Sequence, residues 1–349
     1  MNIEILNDYK ERGLLMNQLH PTLPLIIWNY TAECQYSRSW DEITIQARGL
    51  VTDFDGNIIS RGFNKFFNLE ENRHVPTDNF EVFEKLDGQY IGIFWYNGEM
   101  VVNSRGSFDS IYAIEARRIL DEKYPTIEKT FSEYHTYCFE LIGFEQIVVS
   151  YSEPDLILTG GFHTKLGHEI LFNEQFCKIC DYLNVKYVKK YSGLDYKNIK
   201  QLNWKNAEGF VVRFSNGDRC KIKFEDYIKL HRQMTNLSTI AIWEALMDGK
   251  PISSILENVP DEFFDKIHEY EDYLITKFNG IETDSKWEFL ATKNHIKNKS
   301  FESNNTEYRK DFAHCTQKSK YPSILFAMLD GKDYSKIIWK LIKPKFEKI

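Results

Sequence analysis

The sequence predicts an α+β fold built on antiparallel sheet, with a smaller all-helical region after it, and three observations predict this. From Leu23 to Phe224, short β-branched and aromatic runs are separated by hairpin turns at Asp55-Gly56-Asn57, Asn97-Gly98 and Asn216-Gly217. Helices interrupt this region where apolar residues recur at helical spacing, from Ser110 to Glu122 and from Glu174 to Leu183. After Asp226 the strand-like alternation fades. Amphipathic helical stretches follow, including Thr239 to Met247, Asp261 to Phe278 and Ser323 to Leu329. The boundary falls near Met234 to Ser238, which divides the chain into residues 1–236 and 237–349. Two segments after it echo each other, Ala245-Leu-Met-Asp-Gly-Lys250 and Ala327-Met-Leu-Asp-Gly-Lys332, and each reads as a helix stopped by a C-terminal glycine.

Composition narrows the class. With 349 residues, 42% hydrophobic and 15% aromatic, the chain has ample material for a buried core. Its longest apolar runs, such as Leu23 to Trp28 and Ile91 to Trp95, are too short to span a bilayer. No basic segment leads into a long apolar one at the N-terminus, so no secretory signal is read. Six cysteines without framework spacing read as free thiols in a reducing, cytoplasmic setting. The net charge of −7 has the wrong sign for holding nucleic acid by bulk electrostatics. Any such surface must concentrate its cations, and two stretches could do so. One holds Lys293, Lys297, Lys299, Arg309, Lys310, Lys318 and Lys320; the other holds Lys340, Lys343, Lys345 and Lys348. A solvated helical face is the alternative for both.

Taken in order, the strand-like segments carry a series of polar blocks at their ends. Ala47-Arg48-Gly49-Leu50-Val51 precedes the Asp55 turn, and Asn64-Lys65-Phe66-Phe67-Asn68 follows it. Lys85-Leu86-Asp87-Gly88 lies between the strands Phe80 to Phe83 and Tyr90 to Trp95. This puts a lysine at a strand end beside a glycine that lets the backbone turn closely around a ligand. Alone, such a tetrapeptide also reads as an exposed turn. Ser104-Arg105-Gly106-Ser107 ends the next strand, and Tyr137-Cys138-Phe139-Glu140-Leu141 forms another. Finally, Ala207-Glu208-Gly209-Phe210-Val211-Val212 and Cys220-Lys221-Ile222-Lys223-Phe224 occupy the two arms of one hairpin. Glu208 is therefore expected near Lys221 and Lys223, which share a face because they are two residues apart.

This ordered series resembles the covalent nucleotidyltransferase superfamily of ATP-dependent ligases and capping enzymes. It is most similar to the RNA ligase 1 family typified by the T-even phage enzyme, with the motif resemblance running from about Ala47 to Phe224. The resemblance implies a nucleotidyltransferase domain of ATP-grasp-like ligase fold, followed by a helical domain that sets RNA or tRNA specificity. It also implies ATP-dependent joining of RNA 3′-hydroxyl and 5′-phosphate ends, through lysyl-AMP and RNA-adenylate, in RNA or tRNA repair. The implied cofactors are ATP and Mg²⁺, or Mn²⁺. The implied partners are RNA ends, with no membrane and no obligate protein partner, in the cytoplasm (the host's, if viral).

Carried over residue by residue, Lys85 is the nucleophile and Glu140 holds the ribose hydroxyls. Glu208 assists a metal or orients the lysine, and Asp87 joins it as a metal ligand. Lys221 and Lys223 contact the α-phosphate, while Arg48 and Lys65 bind the outer phosphates. Glu84 contributes to nucleotide binding, Phe139 stacks on adenine, and Arg105 grips a phosphate of nucleotide or RNA. Many relatives carry lysine at the position of Arg105, and a guanidinium offers a planar fork instead of a point charge. The attacking amine must be uncharged, and a field of nearby cations would favour that state. Lys221, Lys223, Arg48 and Lys65 are the expected source of that field. Glu140 and Glu208 as solvated strand carboxylates, and Phe139 as a core residue, are the alternatives for those positions. For the whole chain the alternatives are a DNA ligase, a GTP-dependent capping enzyme, or a non-catalytic nucleic-acid-binding relative.

Other signals carry less. Cys177-Lys-Ile-Cys180 has half the spacing of a zinc site but lacks a second pair. His163 and His168 bracket a turn. Gly160-Gly161 lacks the lysine-serine sequel of a phosphate-cradling loop, and no Gly-x-Ser-x-Gly elbow is present.

Overall fold

The computed structural model describes residues 1–71, 79–145, 148–199, 201–234, 237–256, 259, 263–296 and 306–347. The chain divides into two units, Met1–Met234 and Thr235–Ile349.

The first unit carries three sheets. Strands β1 (Leu15–Leu19), β2 (Leu25–Tyr30), β3 (Arg48–Asp53) and β4 (Ile58–Ser60) form one sheet in sequence order. Two-residue β5 (Phe67–Asn68) and β6 (Phe80–Lys85) follow. Next come β7 (Gln89–Tyr96), β8 (Glu99–Ser104), β9 (His135–Ile142) and β10 (Asp155–His163), which form a second sheet ordered β10-β9-β7-β8. After β11 (Lys190–Tyr191), the hairpin of β12 (Gly209–Phe214) and β13 (Arg219–Lys223) completes a third sheet, ordered β11-β6-β12-β13-β5. Among the described residues, these strands pair antiparallel except β13 with β5.

Alternation along β7 and β9 explains the layering. Ile91, Ile93, Tyr137, Phe139 and Leu141 point to one side and pack on Ala116, Ile119 and Leu120 of the helix Ile111–Lys123. The opposite side serves two neighbours. Phe94 packs on Leu25, Ile27 and Val51 of the first sheet, while Tyr90 and Cys138 pack on Phe63. The third sheet buries Val82, Phe210, Val212, Cys220 and Ile222 on one face. This leaves its other face for the site.

The second unit contains the helices Thr239–Met247, Phe264–His295, Thr306–Cys315, Pro322–Leu329 and Ser335–Leu341. The start of the expected Asp261 to Phe278 helix lies outside the described residues; the observed helix, Phe264–His295, is 32 residues long and runs well past Phe278. Gly280 and weak amphipathicity hide the continuation, since a mid-helix glycine costs about 1 kcal/mol relative to alanine. The two echoing segments end alike. Gly249 and Gly331 take φ of +67° and +66°, and the Lys250 and Lys332 amides each donate to the alanine carbonyl five residues back, at 2.9 Å. Lys297, Lys299 and Lys348 lie outside the described residues. Of the other cations singled out, Arg309 pairs with Asp330 and Lys343 lies over Trp243. No helix among the described residues is long and apolar enough to cross a membrane.

Candidate active site

The register of β6, β12 and β13 lays out the site in rows. Lys85 pairs with Gly209, which pairs with Lys223; the next row on the same face holds Phe83, Val211 and Lys221, and the third holds Glu81, Arg213 and Arg219. In the first row the middle residue has no side chain, so a hollow opens between two lysines whose backbones are two strands, roughly 10 Å, apart. Gly209 is obligatory there. Its φ is +155°, and a Cβ would stand 2.0 Å from the Ile222 carbonyl oxygen. This backbone conformation lets the preceding Glu208 reach the lysines. Glu208 Oε2 lies 2.8 Å from Lys85 Nζ, and Oε1 lies 3.7 Å from Lys223 Nζ. Glu208 is only 4% exposed, and the Lys85 side chain is 20% exposed.

The contact at the Lys85 amine therefore corrects the expected ring of cations. Its nearest charged partner is a carboxylate, with Lys223 behind it. Lys221 shares the face but lies one row further along, opposite Asn68 of β5. Lys65 is buried with its ammonium over three rings, those of Tyr30, Trp40 and Phe67, at 5.3 to 5.6 Å. The alternating burial of this region conceals such an aromatic cage from the sequence.

Across from these rows, the second sheet supplies the other wall. A pocket is lined by Phe83, Lys85 and Val211 on one side, Tyr90, Glu140 and Thr159 on the other, and Ile170 to Phe172 along its flank. Arg48 and Glu84 also line it, and the Arg48 guanidinium lies 5.4 Å from the Tyr90 ring centre. Burial pushes the Glu140 carboxyl up to about 7, against the pull of Lys85 and Arg48, with Glu208 and Asp87 adding to the rise. Burial also raises Glu84, opposed by Lys189.

Two expected roles need correction. Phe139 is 0% exposed in the core beneath the helix Ile111–Lys123. Strand alternation turns it away from the side that carries Glu140, so it cannot stack on a base in this pocket. Asp87, expected as a metal ligand, already accepts from the Val149 amide at 2.9 Å and the Tyr227 hydroxyl at 3.0 Å, one on each oxygen. The Tyr151 hydroxyl receives the Asp87 amide at 3.0 Å. Asp87 thus fixes the turn after Lys85. Among the described residues no group of three or more His, Cys, Asp or Glu side chains could hold a metal ion, and Glu208 faces a lysine with each oxygen. The donor set does not fit a protein-held cation at Glu208 and Asp87.

Arg105 is exposed, outside the pocket lining, with its guanidinium 5.5 Å from the Tyr30 ring centre. The sequence reading missed Phe83, Tyr90, Val211 and the Ile170 to Phe172 wall. The first and third were within its reach, since each is two residues from a member of the lysine row.

The RNA ligase family, of the T4 RNA ligase 1 type, matches this chain over residues 46–228. A protein of Autographa californica nuclear polyhedrosis virus, provisionally named as a bifunctional polynucleotide kinase/RNA ligase, is 28% identical over 60% of this chain and 34% of its own. A tRNA ligase of Candida albicans is 26% identical over 73% of this chain and 39% of its own. The chain thus spans well under half the length of these two relatives. Among solved structures, an archaeal ATP-dependent RNA ligase superposes with a TM-score of 0.48 at 16% identity, over 77% of this chain and 75% of that one. That likeness is too distant to add to the sequence match. On the match across more than half of its residues, the chain belongs to the RNA ligase family typified by T4 RNA ligase 1.

Proposed function

We propose that this protein is an ATP-dependent RNA ligase that works through AMP carried on Lys85. The observation that carries the reading is the Lys85–Glu208–Lys223 contact, whose Lys85 lines a pocket together with Phe83, Tyr90, Glu140 and Val211. Once its ammonium proton has passed to solvent, the Lys85 nitrogen attacks the α-phosphorus of ATP; the bond from that phosphorus to the oxygen bridging it to the β-phosphate breaks, and pyrophosphate leaves. Glu208 aims the amine, and Lys223 offers positive charge where the α-phosphate gains negative charge in the transition state. Adenosine lies between Phe83 and Val211 on one wall and Tyr90 on the other, with its ribose hydroxyls at Glu140. AMP then passes to an RNA 5′-phosphate, and a 3′-hydroxyl displaces it. A role in tRNA repair is supported by the likeness to the Candida albicans tRNA ligase.

The test is circularisation of a 5′-phosphorylated RNA oligonucleotide in the presence of ATP. Wild type is expected to circularise it and Lys85→Ala to leave it linear. Equal joining by the two would defeat the proposal. Replacing ATP with GTP separates this reading from a capping enzyme, because only ATP is expected to support the reaction.

A further inference from the structure

Beside the nucleotide pocket lies a more polar cleft, which shares Phe63, Phe66, Glu169, Arg213 and Arg219 with it. The cleft adds Arg61, Lys65 and the Asn216-Gly217 turn, so four cations line it against two carboxylates, Glu169 and Asp218. Glu169 is committed: Arg213 Nε lies 2.9 Å from one oxygen, and Arg219 holds the other. Asp218 accepts from the Asn216 side chain at 2.8 Å.

Arg61 stands apart. It is half-buried, its Nε donates to the Thr164 carbonyl at 2.7 Å, and no carboxylate among the described residues pairs with it. Burial lowers its pKa with no acid to offset the effect. Gly167 lies alongside with φ of +74°, and a Cβ there would sit 3.8 Å from the guanidinium carbon. The adenylation of Lys85 assigns Arg61 no task. A partly buried cation without a counter-charge is costly until an anion arrives, and a guanidinium fork matches two phosphate oxygens.

From this geometry we infer that the cleft is a phosphate subsite centred on Arg61. The inference rests on the ligase reading and extends it. The phosphate belongs either to the RNA backbone or to the tail of ATP, and the two are separable because the reaction can be entered at different points.

The experiment compares full-length wild type, Arg61→Gln and Arg61→Lys in two arms. One arm measures labelling by α-labelled ATP across ATP concentrations. The other joins a pre-adenylated RNA to a 3′-hydroxyl acceptor without ATP. At an unchanged thermal midpoint, Arg61→Gln is expected to lose at least about tenfold in one arm, and Arg61→Lys to recover part of it. A raised KM for ATP assigns the phosphate to the nucleotide; slower joining with normal labelling assigns it to RNA. Wild-type rates in both arms, or equal losses in both that track a lowered midpoint, overturn the subsite. Pyrophosphate binding by calorimetry stands apart from catalysis, so a wild type that neither labels nor joins sinks the ligase reading and leaves the subsite testable. Weaker binding by Arg61→Gln is the expected result; equal affinity together with wild-type rates in both arms overturns the subsite.

Discussion

Glu208 is the residue on which the site's charge balance turns. It is nearly excluded from water and is the carboxylate in contact with both Lys85 and Lys223. Removing one partner of a buried ion pair costs about 3–5 kcal/mol, and the partial exposure of Lys85 places this case near the lower end. Glu208→Ala should therefore lower the urea midpoint and also abolish labelling at urea concentrations where the variant remains folded. Retained labelling would show that the carboxylate does not aim the amine. Glu140 makes a second prediction. Its carboxyl, pushed up to about 7, compares with about 4.3 for a free glutamate. With the folded value raised, its stabilising contribution is complete below about 4.3 and is lost as pH rises through about 7. Nucleotide binding runs the other way, because only the ionised form accepts from both ribose hydroxyls. KM for ATP should rise as pH falls through about 7, and Glu140→Gln should flatten that profile. A profile unchanged by the substitution would remove Glu140 from the ribose site. At this scale the sequence told strand-end polar residues from core ones but misplaced Phe139. A three-residue alternation cannot say which of Phe139 and Glu140 faces the pocket until the packing of the neighbouring helix is known.

At the scale of elements, the site depends on how closely three strands and one turn approach. A Cβ on Gly88 would meet the Leu141 carbonyl oxygen at 2.4 Å and the Glu140 side chain at 2.8 Å. Gly88→Ala must push β7 and β9 apart where Glu140 is held. Overpacking of this kind costs about 1–3 kcal/mol. Thermal unfolding should show that loss together with a raised KM for ATP; an unshifted midpoint would mean that the strands have room to give. The β12–β13 hairpin and the strand before Lys85 were legible because turn chemistry and alternation specify them locally. The two-residue strands β5 and β11 were not legible, since neither is long enough to show a period. β5 also pairs in parallel with a strand about 150 positions away. The row that sets Gly209 between two lysines is likewise a product of register, which joins residues far apart in sequence. The helix stops after Ala245 and Ala327 could be read from glycine alone, because an αL cap is a local requirement.

Across the whole molecule, the net charge of −7 bears on how a polyanion is held. Bulk attraction is unavailable, so phosphate must be met by cations placed one at a time. The proposal gives that task, within the first unit, to Lys85 and Lys223, which share Glu208, to Arg48 beside the Tyr90 ring and to Arg61 on the Thr164 carbonyl. The division into an α+β unit and a helical one was legible from the change in apolar periodicity, since that change follows from backbone geometry. Glu208 beside Lys223 was legible from the hairpin, whereas its contact with Lys85 followed only from the family resemblance, because the pairing of β6 with β12 joins residues far apart in sequence. All of the proposed chemistry depends on one covalent event, which intact-mass measurement reports directly. Purified protein incubated with ATP should gain the mass of one AMP, lost on mild acid treatment, and peptide mapping should place it on Lys85. No gain in mass, or AMP mapped to any other residue, would contradict the account.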